Sequence, residues 1–227
     1  MIEFLFIDLD DTILDFQKAE YVALQQTLRQ FGIEPTEPVC ARYSQINKAH
    51  WEALERRELT RQQVMVGRYA TLFGELGIVA DPAKCSDVYM ENLGKGHYFL
   101  PGAEEALQRL SAKYKLYLAS NGTKKVQTSR LESAAIGKYF QDIFISEDMG
   151  ADKPSMDYFS ACFSRIPEFD PTRAMIVGDS LSSDIRGGIH AGMATCWVNP
   201  NHKTAGDTKP DYEIESLTQL EALLETL

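Results

Sequence analysis

The apolar positions of this chain follow two rhythms. Between residues 15 and 98 they recur at helical spacing. Tyr21, Leu24, Leu28 and Phe31 form one stripe, closed by Gly32 at a C-terminal capping position, and Val39, Tyr43, Ile46 and Ala53 form a second. Val64, Leu72, Phe73 and Leu76 form a third, opened by Thr60 and ended by Gly77, while Asp81 and Pro82 cap and start a fourth. The rest of the chain shows short apolar runs instead: Phe4 to Ile7, Leu116 to Ala119, Ile143 to Ile145, Ala174 to Val177 and, with Thr195 inside it, Ala194 to Val198. A run with no polar alternation has no face for water, so each reads as a strand buried on both sides, the environment of a parallel sheet. Amphipathic helices separate the runs; a loop reaches to about Tyr212, and Leu217, Leu220, Leu223 and Leu224 make a closing helix. The alternation predicts an α/β fold with a parallel sheet of about five strands covered by helices. The four-helix stretch is then an insertion after the first strand, dividing the chain into a core of residues 1–14 and 99–227 and a helical domain of residues 15–98.

Charge narrows the partners. The 227 residues carry 33 acidic against 23 basic side chains, a formal net charge of −10. A nucleic-acid polymer or an anionic membrane would be repelled at long range. A small phosphorylated ligand is not excluded, because it needs only local positive charge. No apolar run approaches the ~20 residues of a membrane-spanning helix. The start of the sequence lacks a basic segment followed by an apolar run, so the expected location is cytoplasmic. Cys40, Cys85, Cys162 and Cys196 are scattered without a paired spacing and read as buried thiols, not as a disulfide or zinc framework.

The candidate chemistry sits where the buried strands end, the edge at which open α/β sheets collect ligands. Phe4 to Ile7 is followed by Asp8, Asp10, Asp11 and Thr12. Alternation along extended backbone would turn Asp8, Asp10 and Thr12 to one side. Carboxylates that close repel each other unless a proton or a cation lies between them, which suits a divalent metal with oxygen ligands. The competing reading is an Asp-rich turn that ends a core strand, with Thr12 capping the next element. The second strand ends in Ser120-Asn121-Gly122, the third leads to Lys153-Pro154, and the fourth ends in Gly178-Asp179 with Asp184 shortly after. Each of these alone also serves as a turn or helix-start residue. Together they give one sheet edge acids for a metal, a hydroxyl, an amide and a lysine, the set that a phosphoryl group requires.

These residues resemble, in order, the four motifs of the haloacid dehalogenase superfamily of aspartate-nucleophile phosphohydrolases: D-x-D-x-T at Asp8 to Thr12, then Ser120-Asn121, Lys153-Pro154, and the acids Asp179 and Asp184. The likeness covers essentially the whole chain and implies a Rossmann-like core with an inserted helical cap. Carried over residue by residue, it implies that Asp8 attacks phosphorus in line and that Asp10 serves as acid and then as base. Mg²⁺ is the implied cofactor, held by the carboxylates of Asp8 and Asp179 and the backbone carbonyl of Asp10, with Ser120 and Lys153 completing the catalytic set. Thr12, Asn121 and Asp184 are implied to bind phosphate or to orient the groups that do. Asn47, Trp51, Glu55, Thr60 and Arg68 resemble a pattern in the superfamily's bacterial pyrimidine 5'-nucleotidases, as does the run Thr195 to Asn199. The implied activity is a Mg²⁺-dependent phosphatase acting on a small phosphorylated metabolite, a nucleotide with a pyrimidine base. In that reading the cap selects the leaving group, and Asn47, Trp51 and Arg68 are either substrate contacts or packing residues. A sugar-phosphate phosphatase or mutase would share every core motif. A 2-haloacid dehalogenase of the superfamily typically lacks an acid at the place of Asp10, and a phospho-aspartate receiver switch is shorter, with no helical insertion.

Overall fold

The computed structural model describes residues 2–227 and resolves the chain into two compact units, one running to Phe16 and resuming at His97, the other Gln17–Gly96. The first unit holds the strands β1 (Phe4–Ile7), β2 (Lys115–Ser120), β3 (Asp142–Ile145), β4 (Ala174–Gly178), β5 (Ala194–Val198) and β6 (Tyr212–Ile214). All neighbouring pairs run parallel, in the order β3-β2-β1-β4-β5-β6. The chain therefore moves outward from β1 through β2 to β3, then returns to β1's other side for β4. That reversal is the topological switch point of an open α/β sheet, and it places the residues after β1 and β4 at the crevice where ligands bind.

The sixth strand departs from the sequence expectation of about five strands with loop to about Tyr212. Three residues are too few for a periodic signal, and side chains hold β6 in place instead. Asp211 Oδ2 accepts from the backbone N–H and the hydroxyl of Thr195, each at 2.8 Å, and Asn199 Nδ2 donates to Glu213 Oε1 at 2.7 Å. Two residues of the Thr195-to-Asn199 run thus secure the sheet edge.

Four helices follow β1: α1 (Phe16–Gln30), α2 (Glu37–Glu55), α3 (Arg61–Leu76) and α4 (Pro82–Leu93). Thr60 starts α3 with a reciprocal capping box to Gln63, and Asp81 accepts the N–H groups of Ala83 and Lys84 to start α4. Tyr43, Tyr69 and Tyr89 pack together inside this unit, with the Tyr43 and Tyr69 hydroxyls 2.8 Å apart. The first unit adds α5 (Ala103–Ser111), α6 (Lys124–Ala134), α7 (Ser146–Met149), α8 (Met156–Phe163), α9 (Arg186–His190) and α10 (Leu220–Leu224). Alternation along β1 splits its core in two. Leu5 and Ile7 join an aliphatic cluster with Leu107 and Leu110 of α5, Leu131 of α6 and Leu220 of α10. Phe4 and Phe6 join an aromatic cluster with Tyr117, Phe144, Tyr158 and Phe159. Burial on both faces is why the central strands β1 and β4 carry no polar position. All four cysteines are buried and unpaired, and among the described residues no helix is long and apolar enough to cross a membrane.

Candidate active site

Asp8 continues the β1 ladder by one step, its N–H donating to Val177 O at 2.9 Å. The backbone then turns: Asp11 has a φ of 54°, and its Oδ1 accepts the Phe16 N–H at 2.8 Å where α1 begins. It is Asp11, not Thr12, that serves the following helix. Strand alternation therefore ends at Asp8, and the carboxylates of Asp8 and Asp10, expected to converge, take different partners. Asp8 Oδ1 accepts from Lys153 Nζ at 2.7 Å, whereas Asp10 accepts from Gln127 Nε2 at 2.7 Å and from Arg130 Nη1.

Lys153 is only 1% exposed, and its ammonium donates to Asp8 Oδ1, to Asp184 Oδ1 at 2.6 Å and to Ala119 O at 2.6 Å. All three of its donors are thus satisfied. Burial works against the charge, but Asp184 and Asp8 outweigh it and hold the lysine pKa above its usual value. Asn121 anchors the lysine's backbone from both sides, Nδ2 donating to Lys153 O at 2.9 Å and Oδ1 accepting the Lys153 N–H at 2.8 Å.

Asp8, Asp179 and Asp184 each offer an oxygen, all within 4.8 Å of one another. Burial, reinforced by repulsion from Asp184 and Asp10 and opposed by Lys153, pushes Asp8 up to about 8. Burial and the neighbouring charges of Asp8, Asp184 and Asp11 raise Asp179 well above the usual carboxylate range. One ammonium cannot neutralise three carboxylates, and an all-oxygen donor set with surplus negative charge fits a hard divalent cation. In the Asp8-to-Thr12 loop, Thr12 Oγ1 is buried without a hydrogen-bond partner, a further polar atom left for a ligand. The cluster takes in Asp184 and leaves out the Asp10 carboxylate, because that side chain is held on α6; the resemblance assigns Asp10's backbone carbonyl to the metal. Asp184 is also a candidate helix-start residue by sequence, but Ser180 takes that part, its hydroxyl accepting the Ser183 N–H. Asp184 Oδ2 instead accepts the Ser180 N–H at 3.1 Å. A Cβ on Gly178 would overlap the Asp184 carboxylate, so only glycine at the end of β4 lets Asp184 reach the lysine. Trp197 Nε1 fixes the Asp179 backbone, donating to its carbonyl at 2.8 Å.

Ser120, buried at the end of β2, accepts from the Gly122 N–H at 3.1 Å and from Gln127 Nε2 at 2.8 Å. Two donors fill the acceptor capacity of its oxygen, so the hydroxyl proton is left to be donated. Gln127 and Arg130 are not among the sequence candidates. Their signal is helical phase: they share the buried face of α6 with Val126, Leu131 and Ala134.

Residues 5–198 match the family described as haloacid dehalogenase-like hydrolase. The chain belongs to that family. It is 40% identical to the HAD-hydrolase YfnB of Bacillus subtilis over 97% of this chain and 94% of that protein. It is 35% identical to the pyrimidine 5'-nucleotidase PynA of Streptococcus pneumoniae, covering 96% of this chain and 93% of that one, and 30% identical to the pyrimidine 5'-nucleotidase YjjG of Escherichia coli, covering 98% and 97%. The magnesium-bound crystal structure of YfnB superposes with a TM-score of 0.94 at 39% identity, covering 98% of both chains.

In the helical unit of this haloacid dehalogenase-like hydrolase, Asn47 and Arg68 are buried in one network. Asn47 Nδ2 donates to Glu20 Oε1 at 2.6 Å, Arg68 Nη1 donates to Asn47 Oδ1 at 2.8 Å, and the Ser44 hydroxyl donates to Glu20. The Arg68 guanidinium lies 4.8 Å from the Tyr89 ring centroid. Trp51 stands outside that network, half-buried, with the Arg61 guanidinium 5.4 Å from its ring centroid.

Proposed function

We infer that this hydrolase is a Mg²⁺-dependent phosphomonoesterase that works through an aspartyl-phosphate on Asp8, and that its substrates are pyrimidine nucleoside 5'-monophosphates. The observation that carries the phosphatase reading is the buried Lys153 ammonium held on Asp8 and Asp184, with Asp179 beside them. A carboxylate nucleophile needs positive charge around it before a phosphate dianion will approach. Lys153 supplies one such charge. Asp8 and Asp179 would hold the Mg²⁺, with Asp184 behind them because its two oxygens already serve Lys153 and the Ser180 N–H. Bound there, the cation offsets the charge on the phosphoryl oxygens and the attacking carboxylate.

An Asp8 oxygen forms a bond to phosphorus as the ester P–O bond breaks, and Asp10 gives its proton to the leaving oxygen. Water then attacks the same phosphorus and yields its proton to Asp10, the bond from phosphorus to Asp8 breaks, and phosphate departs. Ser120, whose proton is uncommitted, donates to a phosphoryl oxygen. A side chain able to act as that acid is what separates this reading from haloacid chemistry.

The nucleotide specificity rests on different support, the names of two relatives that match nearly the whole chain at 35% and 30% identity. The α/β unit addresses only the phosphoryl group. Of the residues nominated in the helical unit, Asn47 and Arg68 are committed to the Glu20 network, which leaves Trp51 as the side chain to test for base preference. The experiment compares kcat/KM for UMP, dUMP and dTMP with that for purine monophosphates and sugar phosphates, with and without Mg²⁺, and repeats the set with Trp51→Ala. Absence of Mg²⁺-dependent hydrolysis of every phosphomonoester would overturn the phosphatase reading. Highest rates on sugar phosphates would overturn the nucleotide reading alone.

A further inference from the structure

Helix α6 carries two polar side chains to which the reaction above gives no part, Gln127 at 1% and Arg130 at 0% exposure. Three residues apart on a helix, they present neighbouring groups to one place. Arg130 Nη1 donates to Asp10 Oδ1 and, at 3.0 Å, to Gln127 Oε1. Gln127 Nε2 donates to Asp10 Oδ2 at 2.7 Å and to Ser120 Oγ at 2.8 Å. One amide thus ties Ser120, at the end of β2, to Asp10, in the turn after the neighbouring β1, and both oxygens of Asp10 are gripped from the same helix. The arrangement is built into the backbone as well, since a Cβ on Gly122 would overlap the Gln127 side chain. Asp10 remains 27% exposed on its side chain, so the grip fixes its direction without sealing it from a ligand. Burying a guanidinium and an amide is costly, and apolar residues would pack the same helix face at lower cost.

We propose that Gln127 and Arg130 are positioning residues for proton transfer, fixing the Asp10 carboxylate relative to the Ser120 hydroxyl so that leaving oxygen and phosphoryl oxygen meet their donors in one geometry. The proposal deepens the phosphatase reading and rests on it. It has a signature that a merely structural role lacks. An alkoxide leaving group needs the proton from Asp10, whereas a nitrophenolate leaves without it. In the step that expels the leaving group, errors in Asp10 placement are felt only by the first; the later attack of water is common to both.

The experiment measures kcat and KM for UMP and for p-nitrophenyl phosphate, with Mg²⁺, in the wild type, Arg130→Met, Arg130→Lys and Gln127→Leu. Arg130→Met should lower kcat/KM, which reports the steps through departure of the leaving group, by about 10- to 100-fold on UMP and by less than about threefold on p-nitrophenyl phosphate. Arg130→Lys should recover part of the UMP rate. Gln127→Leu should lose on both substrates, because Ser120 is released too, and still lose more on UMP. In an Asp10→Ala background Arg130→Met should add no further loss on UMP, since it acts through the missing carboxylate. Should Arg130→Met fail to fold, Arg130→Lys and Gln127→Leu carry the same comparison. Equal losses of kcat/KM on the two substrates, or full activity of the variants, would overturn the proposal and leave the phosphatase reading intact. A wild type that hydrolyses neither substrate would remove both.

Discussion

Replacing Lys153 with methionine keeps the length of a fully buried side chain and removes the ammonium bonded to both Asp8 and Asp184. Breaking a buried ion pair by removing one partner costs about 3–5 kcal/mol, because the remaining charge is stranded. For a chain of this size a kilocalorie corresponds to about 2–4 °C, so Tm should fall by roughly 6–20 °C at neutral pH in a chelator. The pH dependence has a definite sign. Asp8 is already raised to about 8 by burial and its acidic neighbours. Without the lysine, whose charge and hydrogen bond hold it down, its folded pKa moves still further above the unfolded value of about 3.9. A carboxyl raised in the folded state binds its proton more tightly there than in the unfolded chain, so stability grows as pH falls from the folded toward the unfolded pKa. The variant's deficit should therefore be flat below about pH 7, where Asp8 is protonated in both proteins, and widen as pH rises through about pH 8 to about pH 9, where the wild type ionises beside its lysine and the variant does not. Urea unfolding across that range in EDTA measures it, and added Mg²⁺ should restore part of the loss near pH 8 by binding only the folded state. An unchanged midpoint, or a deficit that widens on acidification, would refute the charge reasoning.

Asp8→Asn should leave the fold intact and abolish turnover of any phosphomonoester; a purified variant retaining more than a few per cent of wild-type rate would displace Asp8 as nucleophile. Activity should vanish in excess chelator and return with Mg²⁺, while Ca²⁺, which takes more ligands at longer distances, should restore it poorly; steady-state rates in each condition decide. Gly178→Ala forces a methyl into the Asp184 carboxylate and should cost about 1–3 kcal/mol by overpacking. It should also weaken Mg²⁺ binding in a titration, and unchanged affinity would show that Asp184 has no influence on the cation.

Five of the six strands were legible because burial on both faces erases polar alternation, leaving runs such as Phe4 to Ile7 that allow few other readings. The helices of the inserted unit were legible for the opposite reason, since apolar stripes and capping residues such as Thr60 and Asp81 mark both period and ends. β6 was not. Its order comes from Asp211 and Glu213 bonding to Thr195 and Asn199, and a contact between side chains distant in sequence leaves no periodic trace.

The candidate site divides along the same line. Asp8, Ser120, Lys153 and Asp179 stand at strand ends or in the loop after one, where a polar residue beyond an apolar run announces itself. Gln127 and Arg130 lie in Lys124-Lys125-Val126-Gln127-Thr128-Ser129-Arg130, a stretch with one apolar residue that reads as a solvated helix face. What pairs with the buried Arg130 is Asp10, 120 positions earlier. Hydropathy periodicity counts apolar side chains, so it cannot register a helix face whose burial is offset by hydrogen bonds. Phase can: Gln127 and Arg130 fall in step with Val126, Leu131 and Ala134, and polar residues in step with a buried stripe must find partners in the fold. Arg68 falls in step with Val64, Tyr69 and Leu72 of α3 in the same way, and finds its partner in Asn47. The two arginines differ in what lies beyond the first partner. Arg68 leads through Asn47 to Glu20, which is buried, whereas Arg130 leads to a carboxylate that still reaches solvent. A buried cation that ends on a partly exposed acid is aimed at something outside the core, which is why leaving-group dependence is expected for Arg130 and loss of stability without altered chemistry for Arg68.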